Sequence, residues 1–273
     1  MKPVVKWAGG KTQLLEHIKK LLPPTFDCYY EPFLGGGAVL LDLKPQKAIV
    51  NDNNAELINM YLQIKRNIDA VVYALYTLDN RHESSDDAKA FYFSMREEYN
   101  KNIGTNTPEQ AARLIYINKH CFNGLYRVNS KGFFNVPFNN KIKGDSFDEN
   151  NIRQLSAYLE NVEIMACDFE KSLEGIKKGD FVFFDSPYVP VNATSFTDYT
   201  KEGFDYEDHV RLSETFKKLT EKGVYCMLTN HNVDLVKELY DGFNIKTVQV
   251  SRLINSKASG RTGEEVIITN YDV

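Results

Sequence analysis

The chain has 273 residues, of which 42% are hydrophobic and 26% charged, a composition typical of globular proteins rather than disordered ones. That length accommodates one large α/β domain with an insertion, or two modest domains. No apolar run approaches the roughly 18 residues of a membrane-spanning helix, and the N-terminus has no secretory apolar segment, so we expect a cytoplasmic protein without membrane contact.

The net charge of −4, from 33 basic and 37 acidic residues, does not by itself indicate a nucleic-acid-binding protein. The distribution of charge does, because residues 110–144 contain neither Asp nor Glu. The basic residues of this stretch are Arg113, Lys119, Arg127, Lys131, Lys141 and Lys143. An acidic protein can present a basic face to phosphates, although such a bias also occurs on ordinary solvated surfaces.

The cysteines and histidines do not form a metal-binding or disulfide pattern. The four cysteines lie tens of residues apart without a C-x-x-C spacing, and the five histidines are scattered along the chain. We therefore expect neither a disulfide framework nor a metal site.

The N-terminal part of the chain has the element order of a nucleotide-binding α/β sheet. A helix is predicted from Lys11 to Leu22 and a strand over Asp27–Tyr30. A loop with three consecutive glycines then leads to a helix over Ala38–Leu43 and a strand over Lys47–Val50, which is followed by Asp52. Strand, glycine loop, helix, strand and acid is the beginning of a dinucleotide-binding type of sheet.

The middle of the chain has a different pattern. Apolar residues at helical spacing predict helices from about residue 54 to 110, with Glu83–Asp87 as a solvated loop and helix cap. Residues 125–137 alternate around Asn129–Gly132, which predicts a β-hairpin with Phe133 and Phe138 in its core.

The α/β pattern then resumes. Further strands are predicted at Val162–Met165, Asp180–Phe184, Val224–Leu228, Ile245–Val250 and Val266–Thr269. The last two are expected to pair antiparallel. An α/β sheet is thus predicted to be interrupted by a helical and hairpin insertion.

Two glycine motifs are candidates for cofactor binding. Gly10-Lys11-Thr12 resembles the end of a P-loop, but Val5 stands where that motif requires glycine and no strand precedes it, so an ATPase is excluded. Gly35–Gly37 followed by Asp52 fits a ribose-containing cofactor, because glycines permit close approach and a carboxylate accepts hydrogen bonds from ribose hydroxyls. A tight strand-to-helix turn is the alternative interpretation of the glycines.

The sequence Asp185-Ser186-Pro187-Tyr188 directly follows an apolar strand. Ligands bind at the carboxyl ends of strands in open α/β sheets. The Asp185 carboxylate and the Ser186 carbonyl can hold an exocyclic amine and direct its lone pair at a methyl group, and the Tyr188 ring can stack on a planar base. A capped loop after a strand is the structural alternative.

These motifs resemble those of the Dam-type (D12 class) DNA adenine-N6 methyltransferases over nearly the whole chain. The family's N-terminal motif is similar to Lys6–Lys11, its glycine motif to Glu31–Ala38, and its catalytic D-P-P-Y to Asp185–Tyr188. The resemblance implies methyl transfer from S-adenosylmethionine to adenine N6 in duplex DNA, at GATC, by base flipping and direct transfer. It also implies a Rossmann-like methyltransferase sheet with an antiparallel C-terminal strand and an inserted helical and β-hairpin DNA-recognition domain.

The resemblance also implies roles for individual residues. Among them, Asp52 would bind the ribose and Asp168 the adenine of the cofactor. The cofactor-binding residues would be Trp7, Lys11, Phe33, Gly35, Gly37, Asp52, Asp168 and Asp185. The catalytic motif comprises Asp185, Ser186, Pro187 and Tyr188.

Residues 118–138 resemble the family's target-recognition hairpin. Arg127 matches a guanine-reading arginine, in agreement with the preference of arginine for guanine O6 and N7 in the major groove. Phe122 stands where the family commonly has a tyrosine that inserts into the duplex. The other residues expected to contact DNA are Asn123, Leu125, Asn129, Lys131 and Pro137.

One position departs from the family pattern, because Ser186 replaces a proline. Serine keeps the backbone carbonyl that the chemistry needs but lacks the fixed φ of proline, so we expect a working but slower enzyme. A non-catalytic DNA-binding paralogue disabled at Ser186 is the alternative. A methyltransferase acting on protein or a small molecule is a further alternative, which the basic segment and the hairpin argue against.

The domain division expected from this pattern places residues 1–56 and 161–273 in the catalytic domain and residues 57–160 in the target-recognition domain. The expected partners are double-stranded DNA and a restriction endonuclease of the same system. The protein is expected to be a monomer in solution.

Overall fold

The computed structural model describes residues 1–141, 143–191, 203–251 and 262–272. Its strands are β1 (Tyr29–Glu31), β2 (Ala48–Asn51), β3 (Val162–Met165), β4 (Phe181–Phe184), β5 (Tyr225–His231), β6 (Asn244–Ser251) and β7 (Thr262–Thr269). They form a seven-stranded mixed sheet in the order β3-β2-β1-β4-β5-β7-β6. The fold is therefore of the α/β class, as predicted.

The centre of the sheet is parallel and its C-terminal part is antiparallel. Strand β1 pairs in parallel with β2 and β4, and β4 pairs in parallel with β5. Strand β7 runs antiparallel to both β5 and β6, which confirms the antiparallel pairing predicted for the last two strands. All four residues of β4 are buried, as expected for a parallel strand covered on both faces.

The helices are α1 (Leu15–Lys20), α2 (Ala38–Leu43), α3 (Ala55–Arg66), α4 (Ile68–Glu83), α5 (Ala88–Lys101), α6 (Pro108–His120), α7 (Glu149–Leu159), α8 (Tyr206–Glu221) and α9 (Asp234–Leu239). Short 3-10 helices occur at Lys11–Gln13, Phe122–Gly124 and Lys171–Leu173. The helix predicted from Lys11 to Leu22 is thus divided into a 3-10 turn and the short helix α1. None of the helices in the described ranges combines the length and apolarity that a membrane crossing needs.

Local sequence explains where several helices begin. The side chain of Asn54 accepts a hydrogen bond from the Leu57 amide at the start of α3, and Asp87 accepts one from Ala90 at the start of α5. Thr107 caps α6 in the same way and is followed by proline, which suits a first helical position. The helix cap predicted within Glu83–Asp87 is confirmed by Asp87.

The chain divides into two compact units. The first comprises Met1–Gly10, Leu34–Lys44 and Asn51–Cys167, and the second comprises Lys11–Phe33, Pro45–Val50 and Asp168–Val273. In the first unit, α3 and α4 both pack against α6 through buried apolar side chains such as Leu57, Leu75 and Ile115. In the second, buried side chains of β4, β5, β7 and α8 form one apolar cluster.

The predicted hairpin is irregular. Within the described residues it shows two isolated antiparallel bridges, Cys121–Phe138 and Val128–Phe134, rather than a continuous ladder. The left-handed backbone at Asn123 (φ 57°) and Gly124 (φ 67°) turns the chain away from extended geometry and prevents a ladder there.

The prediction that Phe133 and Phe138 both lie in the hairpin core is correct for Phe138 and wrong for Phe133. Phe138 is buried, but Phe133 is 43% exposed and its neighbour Phe134 is buried instead. Successive side chains of an extended segment point to opposite faces, so Phe133 and Phe134 cannot both face the core.

Gly124 is a position where the backbone and its surroundings both require glycine. A Cβ atom at Gly124 would lie 2.4 Å from Cδ and 2.9 Å from Cβ of Lys6. Asn118 holds this contact in place, since its Nδ2 donates to the carbonyls of both Lys6 and Gly124. The stem of Lys6 therefore packs directly on the backbone at Gly124, within the segment of residues 118–138.

We expect Gly124→Ala to lower the free energy of unfolding by about 2–5 kcal/mol, from left-handed strain together with overpacking against Lys6. The matched control is Gly104→Ala. Gly104 has φ +85°, and a Cβ atom there would meet no atom of the described residues within 4 Å, so that only the strain applies. Urea denaturation of the two variants measures the difference. If the two variants lose equal free energies of unfolding, overpacking against Lys6 contributes nothing to the loss in Gly124→Ala.

Candidate active site

The glycine loop lies in the first compact unit and is held on several sides. Gly35 and Gly37 have φ values of 50° and 69°, a left-handed conformation that glycine adopts without a Cβ clash. The amide of Gly35 donates to Oδ2 of Asp52 at 2.9 Å, and the hydroxyl of Tyr61 donates to the Gly35 carbonyl at 3.2 Å. A Cβ at Gly35 would lie 3.0 Å from Cδ1 of Trp7, so the loop packs against the indole.

Asp52 has the properties of a ribose-binding acid. Its Oδ1 accepts the Asn54 amide at 2.9 Å and its Oδ2 accepts the Gly35 amide. Burial raises the pKa of Asp52, and these two amide hydrogen bonds oppose that rise. A carboxylate offers about four lone-pair sites, so both oxygens retain capacity to accept ribose hydroxyls.

The catalytic candidate Asp185 lies in the second unit, immediately after β4. The Nζ atom of Lys11 lies 2.6 Å from its Oδ1, and the hydroxyl of Thr229 on β5 donates to the same oxygen at 3.0 Å. The Lys11 side chain is only 5% exposed. Burial raises the pKa of Asp185, and the charge and hydrogen bond of Lys11, with the Thr229 hydrogen bond, act in the opposite direction.

Tyr188 is fixed at its hydroxyl and at its ring. The hydroxyl donates to Oε2 of Glu265 at 3.0 Å, and the His231 ring contacts the Tyr188 ring edge-on at 4.9 Å between centroids. Lys11 Nζ lies 4.6 Å from the centre of the Tyr188 ring. Lys11 therefore contacts both Asp185 and Tyr188, so these three predicted site residues lie together.

The two residues between Asp185 and Tyr188 differ in their environments. Ser186 is buried, and its Oγ has no hydrogen-bond partner among the described residues. Pro187 is exposed. A buried hydroxyl without a partner carries a desolvation cost of about 1–3 kcal/mol.

Asp168 is held by an arginine that the sequence analysis did not single out. Nη1 and Nη2 of Arg211 donate to the two carboxylate oxygens of Asp168, each at 3.0 Å. Burial raises the pKa of Asp168, but the Arg211 hydrogen bonds and charge, with the Glu170 amide, outweigh it and lower the pKa. The guanidinium also lies 4.5 Å from the centre of the Phe169 ring, and Phe169 contacts the predicted cofactor residue Phe33 at 5.4 Å.

The residues predicted to contact DNA lie in the irregular hairpin of the first unit, and most of them are exposed. Phe122 is 52% exposed, and its backbone amide donates to the Pro137 carbonyl. Nε of Arg127 donates to Oδ1 of Asn135 at 2.8 Å. The exposed residues of the predicted set are Phe122, Asn123, Arg127, Asn129, Lys131 and Pro137, whereas Leu125 is half-buried.

Asn129 has a structural role in the turn. Its Oδ1 accepts the backbone amides of Lys131 and Phe133, and Gly132 follows with φ 79°. This side chain therefore closes the tip of the recognition segment, in the manner of an Asx turn.

Several residues around the site carried no signal in the sequence. Thr229, Glu265 and Arg211 each reach a predicted residue from a distant strand or helix. Their residue types are ordinary for surface or strand positions. Only the pairing of strands and the packing of α8 bring them to Asp185, Tyr188 and Asp168.

Comparison with known proteins identifies the family. A family model described as D12 class N6 adenine-specific DNA methyltransferase matches residues 7–254. The chain is 43% identical to the type II methyltransferase M1.LlaDCHI of Lactococcus lactis subsp. cremoris, over 99% of this chain and 96% of that protein. It is 42% identical to the type II methyltransferase M.MjaIII of Methanocaldococcus jannaschii, over 99% of both chains.

A DNA adenine methylase of Escherichia coli strain K12 is 31% identical, over 98% of this chain and 94% of that protein. These matches extend along almost the full chain. They exclude the alternative of a methyltransferase that acts on proteins or small molecules. The chain belongs to the D12 class of N6 adenine-specific DNA methyltransferases, enzymes that use S-adenosylmethionine.

Proposed function

We propose that this enzyme methylates N6 of the adenine in GATC sequences of duplex DNA, after rotating that adenine out of the base stack. The observation that carries the proposal is the Asp185 carboxylate, held beside Tyr188 at the carboxyl end of β4. An amine inside a stacked duplex cannot reach such a carboxylate. Flipping costs on the order of a few kcal/mol, which contacts to the extrahelical base offset.

The proposed chemistry begins with orientation of the amine. The Asp185 carboxylate accepts one N6 hydrogen and the Ser186 carbonyl accepts the other, so that the N6 lone pair points away from both acceptors. Within the described residues, Lys11 and Thr229 both contact Oδ1 of Asp185, and we therefore assign the amine to Oδ2. The carboxylate also stabilises the positive charge that develops at N6 during direct transfer.

Tyr188 is assigned the stacking surface for the flipped adenine. Glu265 and His231 fix the orientation of its ring before any base arrives. Stacking of a base on an aromatic side chain contributes roughly 1–3 kcal/mol, which is comparable to the cost of flipping.

The cofactor contacts are assigned on the basis of the family resemblance, and the local geometry suits the assignment. Asp52 retains acceptor capacity for ribose hydroxyls, Gly35 and Gly37 keep the loop free of side chains, and Trp7 packs against that loop. The other proposed contacts are Lys11, Phe33, Asp168 and Asp185. S-adenosylmethionine supplies the electrophilic methyl group when bound.

Specificity for GATC is assigned to the recognition hairpin. Arg127 is exposed and is the proposed reader of guanine, while the exposed Phe122 ring is the proposed wedge in the duplex. Asn123, Leu125, Asn129, Lys131 and Pro137 complete the proposed DNA surface. The assignment rests on the resemblance of residues 118–138 to the hairpin of the family.

The proposed organisation follows from the same resemblance. Residues 57–160 are the target-recognition domain, and residues 1–56 with 161–273 are the catalytic domain. We propose that the enzyme acts as a monomer and accompanies a restriction endonuclease, because two of its relatives are type II methyltransferases.

A slower variant of this function is favoured by one observation, the buried hydroxyl of Ser186, which has no hydrogen-bond partner in the described part of the chain. This residue stands in the catalytic motif, where its carbonyl is the second acceptor for the amine. A desolvated hydroxyl without a partner and a turn without proline both disfavour a rigid acceptor. A DNA-binding paralogue without activity is the extreme form of this alternative.

The principal test is incorporation of labelled methyl from S-adenosylmethionine into duplexes with and without GATC. We expect N6-methyladenine only in GATC duplexes, and a fall of about 10²- to 10³-fold in rate for Asp185→Asn, because the negative charge that stabilises the positive charge developing at N6 is lost. Asp234→Asn is the control, since that carboxylate is 96% exposed. Methylation of both duplexes would refute GATC specificity. A rate for Asp185→Asn equal to that of the wild type would refute the role assigned to this carboxylate.

The pH dependence of kcat/KM tests the ionisation of Asp185. Burial raises the pKa of Asp185, and only the ionised form accepts the amine hydrogen, so activity falls on the acid side at a pH above the ordinary aspartate value of 3.8. Thr229→Val removes a hydrogen bond that favours the charged form and therefore moves this acid limb upward, by about one pH unit. An unchanged or lowered acid limb in Thr229→Val would contradict the assignment.

Substitutions at Ser186 separate its effects on stability and rate. Ser186→Ala removes the unpartnered hydroxyl and is expected to raise the free energy of unfolding by about 1 kcal/mol, measured by urea denaturation. Ser186→Pro is expected to increase the single-turnover rate of methyl transfer. A rate unchanged by proline would show that serine does not slow this enzyme.

A further inference from the structure

Trp7 lies directly against the glycine loop. It is the single tryptophan of the chain. A Cβ at Gly35 would lie 3.0 Å from Cδ1 of Trp7, and one at Gly36 would lie 3.2 Å from Cβ of Trp7. Gly35 is also held by hydrogen bonds with Asp52 and Tyr61, so the indole packs against a loop whose position is fixed on its other sides.

The indole of Trp7 also stacks on Tyr126. The two ring centroids are 4.6 Å apart and the rings are inclined by 24°. Tyr126 is half-buried, contacts the Phe134 ring at 5.7 Å, and places its hydroxyl 3.5 Å from that of Tyr99. Tyr99 and Phe134 are themselves buried and in contact, so Tyr126 is anchored in the core beneath the hairpin.

Tyr126 directly precedes Arg127, the proposed guanine reader. The carbonyl of Arg127 accepts the Asn135 amide at 3.1 Å, and its Nε donates to the Asn135 side chain at 2.8 Å. The orientation of the Arg127 side chain therefore depends on the same short stretch of backbone that Tyr126 anchors. All of these contacts lie within the first compact unit.

We propose that the Trp7–Tyr126 stack couples occupation of the cofactor loop to the position of the DNA-recognition segment, and that Tyr126 is a positioning residue for Arg127. The proposal rests on the proposed function, which assigns cofactor binding to the loop and base reading to Arg127. Coupling between two sites is reciprocal, so cofactor and DNA strengthen the binding of each other by the same factor. An aromatic pair contributes enough to make this factor about 2- to 12-fold.

The first test uses the intrinsic fluorescence of Trp7, with S-adenosylhomocysteine as the probe and no DNA present. We expect saturating probe to change the tryptophan emission in the wild type and in Tyr126→Phe, which keeps the stacked ring. The change should be smaller or absent in Tyr126→Leu, which removes the ring. Calorimetry establishes that the probe binds each protein. If bound probe leaves the wild-type emission unchanged, the proposal is wrong.

The second test measures the coupling itself. The Kd for a duplex that the wild-type enzyme methylates is determined with and without saturating S-adenosylhomocysteine, and the ratio of the two Kd values is the coupling factor. We expect a factor of about 2- to 12-fold in the wild type and in Tyr126→Phe, and a factor near one in Tyr126→Leu. Tyr73→Leu is the control, because Tyr73 on α4 is 76% exposed.

The outcomes separate this proposal from the proposed function and from simple destabilisation. A merely structural role of Tyr126 would weaken DNA binding equally with and without the probe and leave the ratio unchanged, which would overturn the proposal. An equal ratio in wild type and Tyr126→Leu would do the same. If the methylated sequence is not GATC, the proposed specificity fails, but the ratio measured on the sequence actually methylated still decides the coupling.

Discussion

A carboxylate held close to a buried lysine is the interaction on which the proposed catalytic centre depends. Lys11 is almost completely buried, and an ammonium group in that position requires a negative partner, because an isolated buried charge costs several kcal/mol. Asp185 supplies that charge and is itself desolvated at the end of β4. The contact between Lys11 and Asp185 therefore stabilises both charges, and it determines which carboxylate oxygen is available for a substrate.

The polar side chains around Asp185 and Tyr188 also need partners, because they are largely removed from water. The Tyr188 hydroxyl donates to Glu265, and the Thr229 hydroxyl donates to Asp185. Polar groups with low exposure are thus paired, as protein interiors require. The buried hydroxyl of Ser186 is an exception within the described residues, and it lies in the proposed catalytic motif.

The first compact unit contains the irregular backbone of the proposed recognition hairpin. Left-handed residues at Asn123 and Gly124 interrupt regular pairing, and the stem of Lys6 fills the space that a side chain at Gly124 would occupy. Phe122 is left exposed next to this turn, while Phe134 and Phe138 enter the core. Phe133 is likewise exposed, because it alternates with the buried Phe134 along the extended segment.

The sequence by itself determined the α/β class, the strands that flank the glycine loop and the position of Asp185–Tyr188 directly after a buried strand. Apolar runs such as Phe181–Phe184, the glycines after β1 and the acid at Asp52 are local signals, because they reflect burial and backbone conformation of their own segments. Family membership also followed from short motifs that keep their order along the chain.

The tertiary structure alone decided which side chains support that motif and how the hairpin is built. Thr229, Glu265, Arg211 and Tyr126 reach their partners across large separations in sequence, through strand pairing and ring packing that no local pattern encodes. The hairpin was predicted from the alternation of residues 125–137, because alternation is a local property. Its left-handed turn and its contact with Lys6 depend on packing, and packing is a property of the folded chain.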